Sequence, residues 1–172
     1  EVLRMEHITT VIDEVPIVKN ARFNVFDREI VGLIGINNSG KTALLQSVTG
    51  HLPCSSGRIL YRDQPLAVSD PSQARQKGIY YISSRSGLIE NFTVAENMFL
   101  IKEAKASFLL RRKVQTKRAK AVLEIFPGGI AHDALVRTLT NRKRILVEMA
   151  RAVSHNASLI ILDGVMDELA EA

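Results

Sequence analysis

The feature that most constrains this chain is an apolar run of strand length that ends in a glycine-rich turn and leads into an amphipathic segment. The run covers Ile30 to Ile34, and the apolar residues of the following segment recur at helical spacing: Leu44, Leu45 and Val48. Between them, Gly35 to Thr42 reads GINNSGKT, which matches the pattern G-x-x-x-x-G-K-[ST] at every fixed position. This order predicts a strand, an anion-binding loop and a helix.

Each residue type in this loop suits the binding of a phosphate. Gly35 and Gly40 lack a Cβ, so the backbone can turn tightly and bring its N–H groups close to an anion. The following helix directs its unbonded N–H groups and its positive dipole end to the same place. Lys41 adds a positive charge, and the Thr42 hydroxyl is of the kind that ligates Mg²⁺. The predicted phosphate-binding residues are Gly35, Asn37, Asn38, Ser39, Gly40, Lys41, Thr42 and Ala43.

The alternative interpretation of this segment is a glycine-rich turn that binds nothing. A match of eight residues can arise by chance, but the motif also requires a strand before it and a helix after it. Both are predicted here, which favours nucleotide binding.

Composition limits the class of protein. The chain has 172 residues, of which 46% are hydrophobic and 24% are charged, so it can fill the core of one domain. Its one cysteine, Cys54, excludes an internal disulfide and is interpreted as structural. No apolar run approaches the roughly 18 residues that cross a bilayer. The net charge of +5 favours a basic solvated face over nucleic-acid or membrane binding.

Strand and helix signals alternate along the rest of the chain. We expect strands with a turn over residues 2–25 and further strands at Ile79 to Ser83 and Ser158 to Asp163. We expect a helix capped by Asp70, a capping box at Thr93 and a two-piece helix over residues 102–126. A last helix, capped by Thr140, is expected to carry a core stripe of Ile145, Met149 and Val153. The alternation predicts a single α/β domain with its core in residues 1–92 and 140–172 and a helical insertion over residues 93–139.

Basic residues are concentrated in the predicted insertion. The eight lie in one helical stretch and are Lys102, Lys105, Arg111, Arg112, Lys113, Lys117, Arg118 and Lys120. A solvated helix face is the more common meaning of such a run, and docking of an acidic partner or of phospholipid headgroups is the alternative.

The second apolar strand ends in a carboxylate, Asp163. In phosphate-loop proteins an aspartate at this place holds Mg²⁺ directly or through water, so we predict that role for Asp163. The alternative is an aspartate that begins a turn or caps a helix.

These segments, in this order, resemble the ATP-binding domain of ABC transporters, and most of all the ATP-binding subunits of bacterial sugar importers. The similarity rests on the loop together with IYYIS, LIENFTVAENMFL, LTNRKRILVEMARAV and SLIILD. It implies a phosphate-loop NTPase fold with an ABC-type core, an antiparallel β subdomain and an α-helical subdomain. It also implies ATP and Mg²⁺ as cofactors and a cytoplasmic location at the inner face of the cell membrane. The implied partners are a second ATP-binding domain and a membrane permease, with no direct nucleic-acid contact.

Several positions depart from the pattern of this family. The glutamate that polarises the attacking water is replaced by Gly164, and loss of a positioned general base costs about 10²- to 10⁴-fold in rate. The glutamine that senses Mg²⁺ aligns with Ser84, which is too short to reach the metal in the same way. The aromatic residue that stacks on adenine aligns with Ile12, which has no π face. Asn38 replaces a glycine, a mild change because Asn tolerates positive φ.

The signature motif of the family, usually L-S-G-G-Q, reads Leu139, Thr140, Asn141, Arg142 and Lys143. Thr140 keeps a hydroxyl. Arg142 and Lys143 bring bulk where the γ-phosphate of the partner site must come close, and they also bring positive charge that attracts this phosphate. The sequence alone does not decide whether the bulk or the charge has the larger effect. The chain ends before the next conserved segment of the family, which indicates a fragment of a longer protein.

The resemblance and the departures together lead to one hypothesis and two alternatives. The hypothesis is an ATP-binding domain of a sugar importer that binds MgATP but hydrolyses it weakly or not at all. The first alternative is an active ATPase when full-length and partnered, and the second is a basic nucleic-acid-binding adaptor. A GTPase is excluded, because no N-K-x-D guanine motif occurs in the sequence.

Overall fold

A computed structural model of the chain describes residues 1–99 and 108–170. Its contacts divide the chain into two compact units, Glu1–Tyr81 and Ile82–Ala172. The boundaries of a helical insertion over residues 93–139 stay a prediction. The described elements are β1 Leu3–Ile12, β2 Val15–Val25, α1 Lys41–Thr49, β3 Ser56–Tyr61, β4 Gln64–Pro65, α2 Pro71–Gln76, β5 Ile79–Ser83, α3 Val94–Phe99, α4 Phe108–Leu123, a 3₁₀ turn Val136–Thr138, α5 Asn141–Ser154, β6 Leu159–Asp163 and α6 Met166–Ala170.

An antiparallel sheet with the strand order β2-β1-β3-β4 forms the body of the first unit. Leu3 lies opposite Val25 on one side and Tyr61 on the other. The turn between β1 and β2 is made by Asp13 and Glu14, whose φ angles are 48° and 65°. Two left-handed residues in a tight turn match the twist of a hairpin. The strands and turn predicted over residues 2–25 are confirmed.

The apolar run before the glycine-rich loop is not a strand, and the prediction of a strand at Ile30 to Ile34 is wrong for this structure. Ile30 and Ile34 are 99% and 96% exposed. The run pairs with none of the described strands. A strand needs a hydrogen-bonded neighbour for its N–H and C=O groups, and apolar composition alone does not supply one.

The second unit packs α3, α4 and α5 around one apolar cluster. Val94 and Met98 of α3, Leu123 of α4, and Val147 and Ala150 of α5 are buried in it. The predicted capping box is confirmed at the start of α3, where the Thr93 N–H donates to Glu96 Oε2 at 2.9 Å and the Glu96 N–H donates to Thr93 Oγ1 at 3.2 Å. β6 is the hydrogen-bonded neighbour of β5, whose last residues, Ile82 and Ser83, belong to this unit.

The core stripe predicted on α5 is only partly correct. Ile145 is 2% exposed and Met149 is half-buried, but Val153 is 40% exposed. Each step of four residues turns about 40° around a helix, so a stripe of this spacing drifts off the buried face. The core face continues instead through Val147 and Ala150, which are fully buried.

The predicted helix over residues 102–126 is confirmed over α4, Phe108–Leu123, but its predicted end is wrong, because residues 124–126 form a turn. Lys102 and Lys105 lie outside the described residues. Among the helices of the described ranges, none is long and apolar enough to cross a membrane.

Candidate functional site

The ammonium group of Lys41 lies against the backbone of the glycine-rich loop. It donates hydrogen bonds to the carbonyl oxygens of Gly35 and Ile36, each at 2.7 Å, and to Ser39 Oγ at 3.3 Å. All of these contacts are exposed to solvent. The loop is therefore held by a cation that belongs to the loop itself.

Two residues of the loop have left-handed backbone conformations. Gly40 has a φ of 88°, and a Cβ at this position would lie 2.9 Å from the carbonyl oxygen of Ile17 and 3.0 Å from Val18 Cγ2. Asn38, which stands where the family has a glycine, has a φ of 63°. Asparagine enters this region more readily than most residues, so the substitution keeps the path of the loop.

The first turn of α1 opens directly from this loop. Its N-cap is Gly40, and no side chain caps the helix. The Leu44 N–H donates to the Gly40 carbonyl at 2.9 Å, which starts the helical ladder. The N–H groups before Leu44 form the positive end of the helix dipole, and no capping side chain accepts a hydrogen bond from them. Thr42 in this turn is exposed. A compact anion at this position can accept from several N–H groups at once.

The predicted Mg²⁺ aspartate and the glycine after it lie in the second unit. Asp163 is the last residue of β6 and is half-buried. Gly164 has a φ of 62°, and a Cβ there would meet no atom within 4 Å. Space is therefore available at this position, but the backbone conformation is one that an L-glutamate rarely adopts.

Ile12 and Ser84, the predicted adenine-side and metal-sensing positions, are exposed. Ile12 ends β1 in the first unit and is 41% exposed. Ser84 is exposed in the loop after β5, in the second unit. The predicted site residues are thus distributed over both units, with Ile12 and the phosphate loop in the first and with Ser84, residues 139–143, Asp163 and Gly164 in the second.

The segment at the signature position forms the start of α5. Thr140 is the N-cap, and its hydroxyl accepts a hydrogen bond from the Lys143 N–H at 3.4 Å. Leu139 and Arg142 are half-buried, and Asn141 is exposed. The next residue, Arg144, folds back and donates to the Leu139 carbonyl at 3.2 Å and to Glu90 Oε1 at 3.1 Å. The start of α5 is therefore fixed by its own side chains.

Two buried polar side chains hold the loop Ser84–Phe92, and sequence analysis missed both. Glu148 on α5 accepts from the Gly87 N–H at 2.9 Å and pairs with Arg151 at 2.8 Å. The Asn97 amide on α3 accepts from the Ile89 N–H at 2.7 Å and donates to the Ile89 carbonyl at 3.0 Å. The sequence signal for Glu148 is a carboxylate within the apolar face of a helix, since such a group is rarely buried without a partner.

No group of three or more histidine, cysteine, aspartate or glutamate side chains is placed to hold a metal ion within the described ranges. Cys54, interpreted as structural, donates its thiol to the Ser56 carbonyl at 2.8 Å. Among the described residues, the groups suited to a nucleotide are therefore the open helix start, Lys41 and the Thr42 hydroxyl.

Comparison with protein families assigns the fold that positions these groups. A family model described as ABC transporter matches residues 18–166, which is most of the chain. The chain belongs to the ABC transporter family. The resemblance inferred from the motifs is thereby confirmed.

Among curated relatives of this ABC-family chain, the putative ribose/galactose/methyl galactoside import ATP-binding protein 1 of Agrobacterium fabrum is 31% identical over 169 residues, which are 98% of this chain and 34% of the relative. The ribose import ATP-binding protein RbsA of Yersinia pestis is 32% identical over 161 residues, 94% of this chain and 32% of that protein. The chain thus spans about a third of the length of these relatives.

Solved structures give the same fold. A nucleotide-free ATP-binding cassette from an ABC transporter has a TM-score of 0.78 at 23% identity and covers 95% of this chain and 68% of its own. CbiO1 from Clostridium perfringens, part of the ABC transporter complex cbiONQ, has a TM-score of 0.76 at 21% identity over 94% of this chain and 64% of its own. The predicted fold class, an α/β phosphate-loop NTPase of the ABC type with an antiparallel sheet, is confirmed.

Proposed function

We propose that this chain is the ATP-binding domain of an ABC-type sugar importer and that it binds MgATP through the loop Gly35–Thr42. The single observation that carries the proposal is the placement of Lys41, whose ammonium bonds two loop carbonyls beside a helix start with no side-chain cap. The Lys41 ammonium and the open N–H groups of the helix start fit a polyphosphate, because the first is a positive charge and the others are donors.

Binding would exchange one set of exposed contacts for another. Lys41 would release the carbonyls of Gly35 and Ile36 and donate to the outer phosphates. The loop N–H groups from Asn37 to Ala43 would surround the inner phosphates. Thr42 and Asp163 are the residues proposed to hold Mg²⁺, which supplies neutralisation of phosphate charge when bound. Ile12 would pack on the adenine side by apolar contact.

We further propose that hydrolysis is weak or absent. Gly164 offers no group that can take a proton from water, and its φ of 62° disfavours a side chain at that position. The signature segment, residues 139–143, carries Asn141 and Arg142 in place of the two glycines and Lys143 in place of the glutamine. We expect this added bulk to hinder the close backbone approach that the family uses. Ser84 is too short to replace a glutamine at the metal.

The relatives support a proposal for the transported substrate class and for the partners. The two relatives described above are named as import ATP-binding proteins, one for ribose and one for ribose, galactose or methyl galactoside. By likeness to them, this chain would act with a second ATP-binding domain and a membrane permease at the cytoplasmic face of the membrane. No direct contact with nucleic acid is proposed.

An equilibrium titration with MgATP tests the nucleotide proposal. The wild-type chain is expected to bind saturably, and Lys41→Ala to lose about 100-fold in affinity because the phosphates lose their mobile cation. Lys19→Ala removes an exposed lysine elsewhere in the same unit and serves as the matched control. Equal affinity in the wild type and in Lys41→Ala would overturn the proposal.

The second candidate is an active ATPase, which the family assignment favours. Phosphate release at an ordinary rate by the protein assembled with its partners, abolished by Lys41→Ala, would favour this candidate. In the proposed domain Gly164→Glu is expected to restore hydrolysis only in part, because the left-handed backbone costs an L-residue about 1–2 kcal/mol and the changes at Ser84 and in the signature segment remain.

A further inference from the structure

One face of α4 combines positive charge with exposed apolar side chains. The residues described on this face are all exposed, and we refer to them as the α4 surface: Lys113, Val114, Lys117, Arg118, Lys120, Ala121 and Ile125, the last in the turn after the helix. Val114 is 51% and Ile125 is 70% exposed. Opposite this face, Ala119 and Leu123 are buried in the core of the second unit.

The α4 surface has a regular order around the helix. At about 100° per residue, Val114 and Ala121 fall within one narrow strip along α4, and Ile125 follows this strip in the turn after the helix. Lys113, Lys117 and Lys120 lie on one side of the strip, and Arg118 lies on the other. Glu124 is the one acidic side chain among the described residues of this exposed sector. The result is an apolar strip bordered by cations.

We propose that the α4 surface docks on a bilayer that contains anionic phospholipids. Lysine and arginine have apolar stems, so their charges reach headgroup phosphates while the stems and the strip rest at the boundary of the acyl chains. Cations next to an anionic membrane surface add favourable binding energy that salt screens. The surface contains no residue of the phosphate loop, so the proposal does not depend on nucleotide binding.

The arrangement favours a bilayer over other polyanions. A nucleic acid would match the charges but would leave Val114 and Ile125 against a polar backbone, and the residues described on this face include no aromatic side chain for base stacking. An acidic protein segment would match the charges as well, and the experiment separates it from lipid.

Co-sedimentation with vesicles tests the proposal on the 172-residue chain. Vesicles of phosphatidylcholine alone are compared with vesicles that contain about 30 mol % phosphatidylserine, at about 0.1 M salt. The wild type is expected to bind the anionic vesicles and not to bind the neutral vesicles. The triple variant K113Q/K117Q/K120Q is expected to bind at least about tenfold more weakly.

A matched variant separates this surface from net charge. K19Q/R28Q/K77Q removes three exposed cations from the first unit, so both triple variants lower the formal net charge from +5 to +2. The control is expected to bind as the wild type does, and V114S/I125S to bind more weakly than the wild type. Circular dichroism confirms that each variant is folded.

Three results would overturn the proposal. The first is an absence of binding to anionic vesicles, and the second is an equal loss of vesicle binding in both triple variants. The third is that the chain binds a DNA duplex or an acidic peptide more tightly than vesicles and that K113Q/K117Q/K120Q abolishes this tighter binding.

Discussion

Two loops of this chain are held in opposite ways. The loop Gly35–Thr42 is held from within, by the ammonium of Lys41 on exposed carbonyls. The loop Ser84–Phe92 is held from outside, by Glu148 and Asn97, which are 5% and 1% exposed. Exposed hydrogen bonds can be exchanged for hydrogen bonds to a ligand at little cost in free energy. Breaking a buried hydrogen bond costs more, because it leaves a polar group without a partner. The first loop is therefore the one suited to change partners, and the second is a fixed part of its unit.

The largest expected effect comes from Glu148→Ala. The change leaves Arg151 largely buried without its carboxylate and removes the acceptor of the Gly87 N–H, so the free energy of unfolding should fall by about 3 kcal/mol. Urea denaturation measures this. Well below the unfolding temperature, the affinity for MgATP should stay unchanged.

Glu124→Ala is the matched control for this comparison, because Glu124 is exposed in the turn after α4. Its effect should remain within about 0.5 kcal/mol. If Glu148→Ala cost no more than Glu124→Ala, the loop Ser84–Phe92 would not be held from outside and the contrast between the loops would be lost.

Gly40→Ala should have the next largest effect. Its Cβ would lie 2.9 Å from the Ile17 carbonyl oxygen at a φ of 88°, so stability should fall by about 1–2 kcal/mol. Affinity for MgATP should fall at least about tenfold, because the loop N–H groups are displaced. Gly129→Ala is the control, since Gly129 has a φ of 54° but no neighbour within 4 Å. Equal loss of affinity in both variants would contradict a role for close approach at Gly40.

Thr140→Ala sharpens the contrast between the starts of α1 and α5. The hydroxyl of Thr140 caps α5, whereas no side chain caps α1. Its loss should lower the free energy of unfolding by about 1 kcal/mol, and Thr140→Ser should retain most of it. Thermal unfolding of both variants measures the difference. A Thr140→Ser variant as unstable as Thr140→Ala would show that the methyl group, and not the cap, supports the helix.

The smallest expected effect concerns His51, just after α1. Burial, and secondly the positive charge of Arg75, lower the pKa of His51. The unfolded chain then takes up the proton at higher pH than the folded chain, so this contribution is present above about pH 6.5 and is lost as the pH falls through and below that value. Urea midpoints between about pH 8 and pH 5 should show a small decline that His51→Gln removes. An identical decline in His51→Gln would assign it to other groups.

Local signals in the sequence predicted local structure well. Asp70, Thr93 and Thr140 cap helices as expected, because each cap bonds an N–H two or three residues away. Gly50 ends α1 with a φ of 73°, a conformation that glycine adopts readily. The residues that make these contacts are adjacent in the sequence and can be read from it.

Features that depend on distant partners were not predictable in this way. The run Ile30 to Ile34 has the composition of a strand but pairs with none of the described strands. Glu148 bonds Gly87 across 61 positions of the chain, so the sequence near Glu148 indicates that its carboxylate needs a partner but not which residue that partner is. At the proposed site, the motif identified the residue types of the loop, but the hydrogen bonds of Lys41 to the carbonyls of its own loop could be seen only in the structure.

The central claim is that this chain retains the residues that bind MgATP but lacks the residues that hydrolyse it. The most direct test mixes radiolabelled MgATP with excess protein and measures bound nucleotide and released phosphate in the same sample. We predict saturable binding that Lys41→Ala weakens about 100-fold, with phosphate release at least about 100-fold slower than a typical enzymatic rate of about 10 s⁻¹. An absence of bound nucleotide, or release at that typical rate, would contradict the account.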